Sequence, residues 1–197
     1  GFAYLGPTVV YLLAIRYEAT NVQLGYISSA IHFSGLVLLI APILLGNRQF
    51  GKAASVIWFL RGLVCVAYAA LPFLEGQRAV MLILVVYTLF CSLRSLGVSL
   101  LEPMQKNLST KRNIGEMVAN LNIRFQPMGA ISQIISFVIL SIEYLSGMLG
   151  LLILEFLGVI TNTIASVFIS RIPSRQKVPP FDRKSFSDVF SSIRSNP

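Results

Sequence analysis

The stretch from residue 79 to residue 101, AVMLILVVYTLFCSLRSLGVSLL, decides the fold class. It is long enough to cross a hydrocarbon core of about 30 Å as one helix, and Arg94 is its one charged residue. Comparable runs occupy approximately residues 1–15, 24–45, 53–73, 123–142 and 149–171, making six segments in all. A water-soluble core of this size could not bury so much apolar surface, so the expected solvent is the bilayer. Composition agrees: of 197 residues, 55% are hydrophobic and only 12% are charged, against about 25% charged in a soluble domain. The expected fold class is all-α, a polytopic membrane protein.

Between the runs lie polar connections at 16–23, 46–52, 74–78 and 143–147, with a longer one at 102–122. Links this short make neighbouring helices antiparallel. One set of connections holds Arg48, Lys52, Lys106, Lys111, Arg112, Arg171, Arg175, Lys177, Arg183, Lys184 and Arg194; the other holds only Arg16 and Arg78, near Glu18 and Glu75, with Glu143 in its third member. Basic residues near membrane ends mark the cytoplasmic side, so the first set is expected there. The net charge of +8, from 16 basic and 8 acidic residues, is therefore a topology signal. Nucleic-acid binding would need a basic face on a folded domain, and none is expected.

Cys65 and Cys91 both fall inside apolar runs, which points to buried thiols and not to a disulfide framework or metal site. The chain is apolar from Gly1 and Phe2 without a basic segment ahead of the run, so it is not read as a signal peptide but as a piece of a longer protein. After Ile172 the composition turns to Pro173, Ser174, Pro179 and Pro180 among basic residues, giving a six-helix unit over 1–172 and a cytoplasmic linker over 173–197. Within the linker, Asp182 can cap a short helix whose Phe186, Val189, Phe190 and Ile193 form one apolar stripe, suited to the membrane surface.

Polar groups in hydrocarbon cost free energy unless they meet a partner or water, so their angular distribution marks the inward faces. The fourth segment carries Thr88, Ser92, Ser95, Ser99 and Glu102 at helical spacing, with Tyr87, Cys91 and Arg94 alongside. The fifth carries Asn122, Gln126, Gly129, Gln133 and Ser136; the first, Tyr4, Thr8 and Tyr11; the second, Gly25, Ser28, His32 and Gly35. Small residues also let helices approach closely, and that role is expected of Gly25, Ser28, Ser29 and Gly35. Gln126 and Gln133 can bond across helices or to a ligand. Tyr4 and Tyr11 suit an interface belt, a core or a cavity, and Thr8 on the same face favours a cavity.

A guanidinium inside a spanning segment costs from about 2.5 to more than 10 kcal/mol, so Arg94 calls for an anionic solute, a carboxylate or a wet cavity. Glu102 lies about 12 Å further along that helix and is turned about 80° away, so it is expected to answer another cation such as Lys106 or Arg124. Arg61 and Glu155 sit in the third and sixth segments, about 9 Å apart in height, which suits an ion pair spanned by long side chains, a bridge through water or separate partners equally. Glu155 shares its face with Gly158, Asn162 and Ser166, the pattern of a helix seam. His32, the one histidine, suits either a proton relay or a hydrogen-bonded structural position. No metal cluster, nucleophile triad, phosphate loop or paired catalytic carboxylates can be assembled, so neither an enzyme nor a resident cofactor is expected.

Gly46-Asn47-Arg48-Gln49-Phe50-Gly51-Lys52 resembles the loop between helices two and three of major facilitator superfamily transporters, with Asn47 where an acid is usual and one extra residue before Gly51. Arg94, Gly97 and Pro103 are similar to that family's signature in helix four, and residues 107–115 to the loop after it. Residues 23–30 resemble the opening of its second helix. The resemblance covers nearly the whole chain. It implies the N-terminal lobe of a twelve-helix, two-lobe transporter that moves a small solute by alternating access with proton or ion coupling. The partners it implies are a solute, the bilayer of a plasma or bacterial inner membrane, and a C-terminal lobe of the same protein. Helices one and four would line the cavity, with two and five at the lobe contacts. Arg94, Tyr4, Thr8, Tyr11, Tyr87, Gln126 and Gln133 become candidates for solute binding, and His32, Glu102, Arg48 and Lys52 for coupling or gating. The altered loop at Asn47 leaves a second reading, a membrane scaffold or assembly protein that keeps the fold without transport.

Overall fold

The computed structural model describes residues 4–108, 114–145, 147–172, 177 and 178, and these are almost entirely helical. Helix α1 spans Pro7–Arg16, with proline at its start, where a missing N–H costs nothing. Glu18 takes a left-handed turn at φ 59°, and α2 (Asn21–Phe33) follows. Thr20 and Gln23 cap its first turn reciprocally, each binding the other's backbone N–H, so α2 starts inside the expected connection at 16–23. A 3₁₀ stretch, Ser34–Leu39, prolongs it to α3 (Ala41–Leu45). Next come α4 (Phe50–Cys65), continued by a 3₁₀ stretch over Val66–Phe73, then α5 (Gly76–Leu108), α6 (Ile114–Ser141) and α7 (Met148–Ser170).

Five of these rods are long and apolar enough to cross a membrane: Asn21–Leu39, Phe50–Phe73, Gly76–Lys106, Gly115–Ser141 and Met148–Ser170. The first expected segment is represented by the 10 residues of α1, about 15 Å of helix and short of a full crossing by itself. The long connection expected over 102–122 is mostly helix. Leu96, Leu100 and Met104 continue one buried stripe past Pro103, and that apolar contact carries α5 on to Leu108. The short helix expected after Asp182 lies outside the described residues, as do Lys111, Arg112 and the side chain of Glu102.

α7 lies along α4, α4 along α5, and α5 along α2, while α1 runs among α2, α5 and α7. α6 stands apart, touching chiefly α7 and the turn at 143–145, and its apolar side chains, Ile123, Phe125, Ile134 and Phe137 among them, are exposed. Apolar exposure on this scale is what a lipid-facing surface needs and what a monomer in water avoids. Gly97 receives the ring of Trp58, and Gly158 receives Leu5, so any side chain at either position would collide with its neighbour.

Two apolar clusters occupy opposite ends of the bundle. One unites Leu45, Phe50, Ala54, Leu96, Leu100, Met104 and Val178, with Ile169 and Ile172 against it. This gathers the start of α4, the end of α5 and the end of α7, and with them Arg48, Lys52, Lys106, Arg171 and Lys177. The chain after α7 is tied down there: Asn47 N–H donates to Val178 O at 2.9 Å, and Val178 N–H donates to Arg48 O at 2.8 Å. Asn47 accepts φ 64° in this turn, a conformation asparagine tolerates better than most residues. At the other end, the Tyr17 hydroxyl donates to Leu71 O at 2.6 Å. Burial there raises the Tyr17 phenol pKa above its ordinary value, with Arg16 pulling it partly back.

Candidate functional site

The polar row on α5 turns toward α2. Thr88 Oγ1 lies 2.8 Å from the Tyr26 hydroxyl, and Ser95 Oγ lies 2.9 Å from Ser34 Oγ. Ser99 donates back to Leu96 O at 2.8 Å. Two members of the row therefore join helices. Tyr26 and Ser34 were not legible as partners, because the small-residue pattern of α2 pointed to a different face. Gly25 and Gly35 have nothing within 4 Å of where a side chain would begin, and Ser28 is exposed. The expected close contact at those positions does not form within the described residues, and that face of α2 stays open.

Arg94 is half-buried on α5. Tyr87, about two helical turns earlier, is fully buried and stacks on Phe90 with ring centres 6.2 Å apart. Tyr4 is also buried, as a core aromatic in the same apolar cluster as Tyr87 and Phe90 at the other end of the bundle. Thr8 and Tyr11 share an open depression of about 330 Å³ with Pro7 and Leu12. Gln126 and Gln133 are exposed on α6, whose principal contacts are elsewhere, and the structure does not gather them around Arg94. His32 is exposed on α2, and Arg48 and Lys52 are exposed where α4 begins. The candidates thus occupy a helix wall and its surroundings, not one closed pocket.

The better-organised polar feature is the seam between α4 and α7. Glu155, Gly158, Asn162 and Ser166, the face recognised in the sequence, are all buried along it. Ser55 donates to Ser166 O at 2.9 Å. Arg61 and Glu155 take separate surroundings. The Arg61 Nε donates to Asn162 Oδ1 at 3.0 Å, and Nη2 donates to the same oxygen. Asn162 keeps its own amide engaged by donating to Gly158 O at 2.9 Å.

The guanidinium carbon also lies 4.7 Å from the centre of the Trp58 ring and 5.3 Å from that of Phe90. Two aromatic faces and an amide oxygen are the means by which a buried cation is held without a carboxylate. Asn162 was visible in the sequence as a seam residue, but its role as the Arg61 acceptor was not. Trp58 gave no signal at all, since the contact depends on how α4 turns against α5.

Glu155 is answered by nothing comparable. Neither of its carboxylate oxygens nor the hydroxyl of Tyr68 has a hydrogen-bond partner among the described residues, although both side chains are buried. Cys65 and Cys91 are free, buried thiols. Among the described residues no group of histidine, cysteine or carboxylate side chains could hold a metal ion. Comparison with models of known protein families, with curated proteins and with solved structures gives no match for this chain.

Proposed function

We propose that this chain is the N-terminal six-helix lobe of a secondary transporter of the major facilitator type, moving a small solute by alternating access with proton or ion coupling. The observation that carries the reading is Arg94: a guanidinium half-buried on a hydroxyl-bearing wall of the most central long helix. A cation there attracts an anionic or polar group of a solute, and tunes any protonatable neighbour. The sequence resemblances support it further, since they fall in family order along successive helices. The basic ends gathered around Arg48, Lys52 and Lys106 belong on the cytoplasmic side in this reading. The open faces of α2 and α6 are left for the C-terminal lobe, and Thr8, Tyr11, Gln126 and Gln133 supply hydrogen bonds once the lobes meet.

The test is solute flux into vesicles containing the full-length protein. Arg94→Ala should lower flux at least tenfold, and Arg94→Lys should retain part of it, because lysine keeps the charge but not the planar fork. Unchanged flux in both variants, with folding intact, would make Arg94 structural. One observation favours a scaffold without transport: the bonds from Thr88 to Tyr26 and from Ser95 to Ser34 commit hydroxyls of the wall to holding helices together. A panel of solutes separates the two readings, because a transporter is stabilised against heat by its solute and a scaffold is not.

A further inference from the structure

Beside the two orphaned groups of the seam lies a cavity of about 350 Å³, whose walls include Tyr68, Glu155, Val66, Ala69, Leu152 and Phe156. Glu155 is 2% exposed and Tyr68 1%, while the rim residues Val66 and Phe156 are 47% and 64% exposed. The cavity therefore opens on the outer, apolar side of the bundle, and buried behind its wall are three unpartnered oxygens: both of the Glu155 carboxyl and the Tyr68 phenol. Leaving such groups unmade in an apolar setting is costly, and native structures rarely do so without a ligand, an ion or a functional reason.

We propose that this cavity binds a membrane-soluble primary amine. Three N–H donors of an ammonium head suit these three oxygen acceptors, two of which share the single charge that the carboxyl takes on when it passes its proton to the amine. The walls are otherwise apolar and suit a hydrocarbon or aryl body, and the volume lies in the range of small-molecule sites. Arg61 does not compete for the carboxylate, because Asn162, Trp58 and Phe90 hold it further along the seam. The titratable groups that share the cavity wall with Glu155 are Cys65 and Tyr68, and neither brings a positive charge. From the turn before α1 the contact at this level of α7 is apolar, Leu5 against Gly158. A ligand approaching through the bilayer meets the exposed Phe156 at the rim and reaches the acceptors by side-chain rotation. The site is separate from Arg94 and requires no transport.

The experiment uses the full-length protein in nanodiscs of phosphatidylcholine, a lipid without a primary amine, and measures binding of 4-phenylbutylamine and of 4-phenylbutanol. The amine should bind saturably and raise the unfolding temperature, with the alcohol weaker by about ten- to a hundredfold, the worth of a charged hydrogen bond. Glu155→Gln, which keeps the shape, should lose that preference, and Tyr68→Phe should weaken the amine severalfold while sparing the alcohol. Equal affinity for amine and alcohol, or unaltered amine binding by Glu155→Gln, would overturn the assignment.

Discussion

At the scale of single residues, the buried charge of Arg61 is met by an acceptor and two ring faces in place of an opposite charge. Arg61 depends on one oxygen, that of Asn162. Asn162→Leu should lower stability in detergent by about 2–3 kcal/mol, because it strands a buried cation. Adding Arg61→Met to that variant should restore most of the loss, since removing both partners leaves an apolar pair. Equal stability of Asn162→Leu and the parent protein, read from thermal unfolding, would remove Asn162 from that role. The sequence carried half of this arrangement: the spacing from Glu155 to Asn162 and Ser166 placed all three on one seam. Which residue answered Arg61 was hidden, because hydrogen bonding across helices depends on their mutual rotation and height.

Among elements, contact between helices is set by where backbone can come close. The ring of Trp58 occupies the space beside Gly97, bringing α4 against α5. Gly97→Val should cost about 1–3 kcal/mol through overpacking, and Trp58→Phe in the same chain should return part of it. If Gly97→Val unfolds at the parent temperature, the ring does not occupy that space. Gly97 was noticed in the sequence as one element of a resemblance, whereas its physical duty is to admit an indole. The hydroxyl row of α5 was legible as a polar face because it repeats at the helical period. Its partners on α2 were not, since Tyr26 and Ser34 lie off the stripe that Gly25, Ser28 and His32 define.

For the whole molecule, the segregation of basic residues was readable before any coordinates. Antiparallel alternation of apolar rods necessarily collects every second connection at one end, and the charges follow. The anchoring of the chain beyond α7 was not readable, because it rests on backbone hydrogen bonds at Asn47 and Arg48 and on the burial of Val178 among Leu45 and Phe50. Val178→Asp should release that anchor and speed tryptic cleavage after Lys177 severalfold, while an unchanged cleavage rate would show that the contact does not hold the segment.

Hydrocarbon surrounds the helices in this reading, with the strongly basic connections on one face of the membrane and those holding Glu18, Glu75 and Glu143 on the other. Single cysteines at Lys52, Arg78, Lys106 and Glu143, introduced into the full-length protein lacking Cys65 and Cys91, test it directly in sealed vesicles of known orientation. An impermeant maleimide added outside should label Arg78→Cys and Glu143→Cys at once, and should label Lys52→Cys and Lys106→Cys only after the membrane is opened. Equal labelling of all four in intact vesicles, or release of the protein from the membrane by alkaline washing, would contradict it.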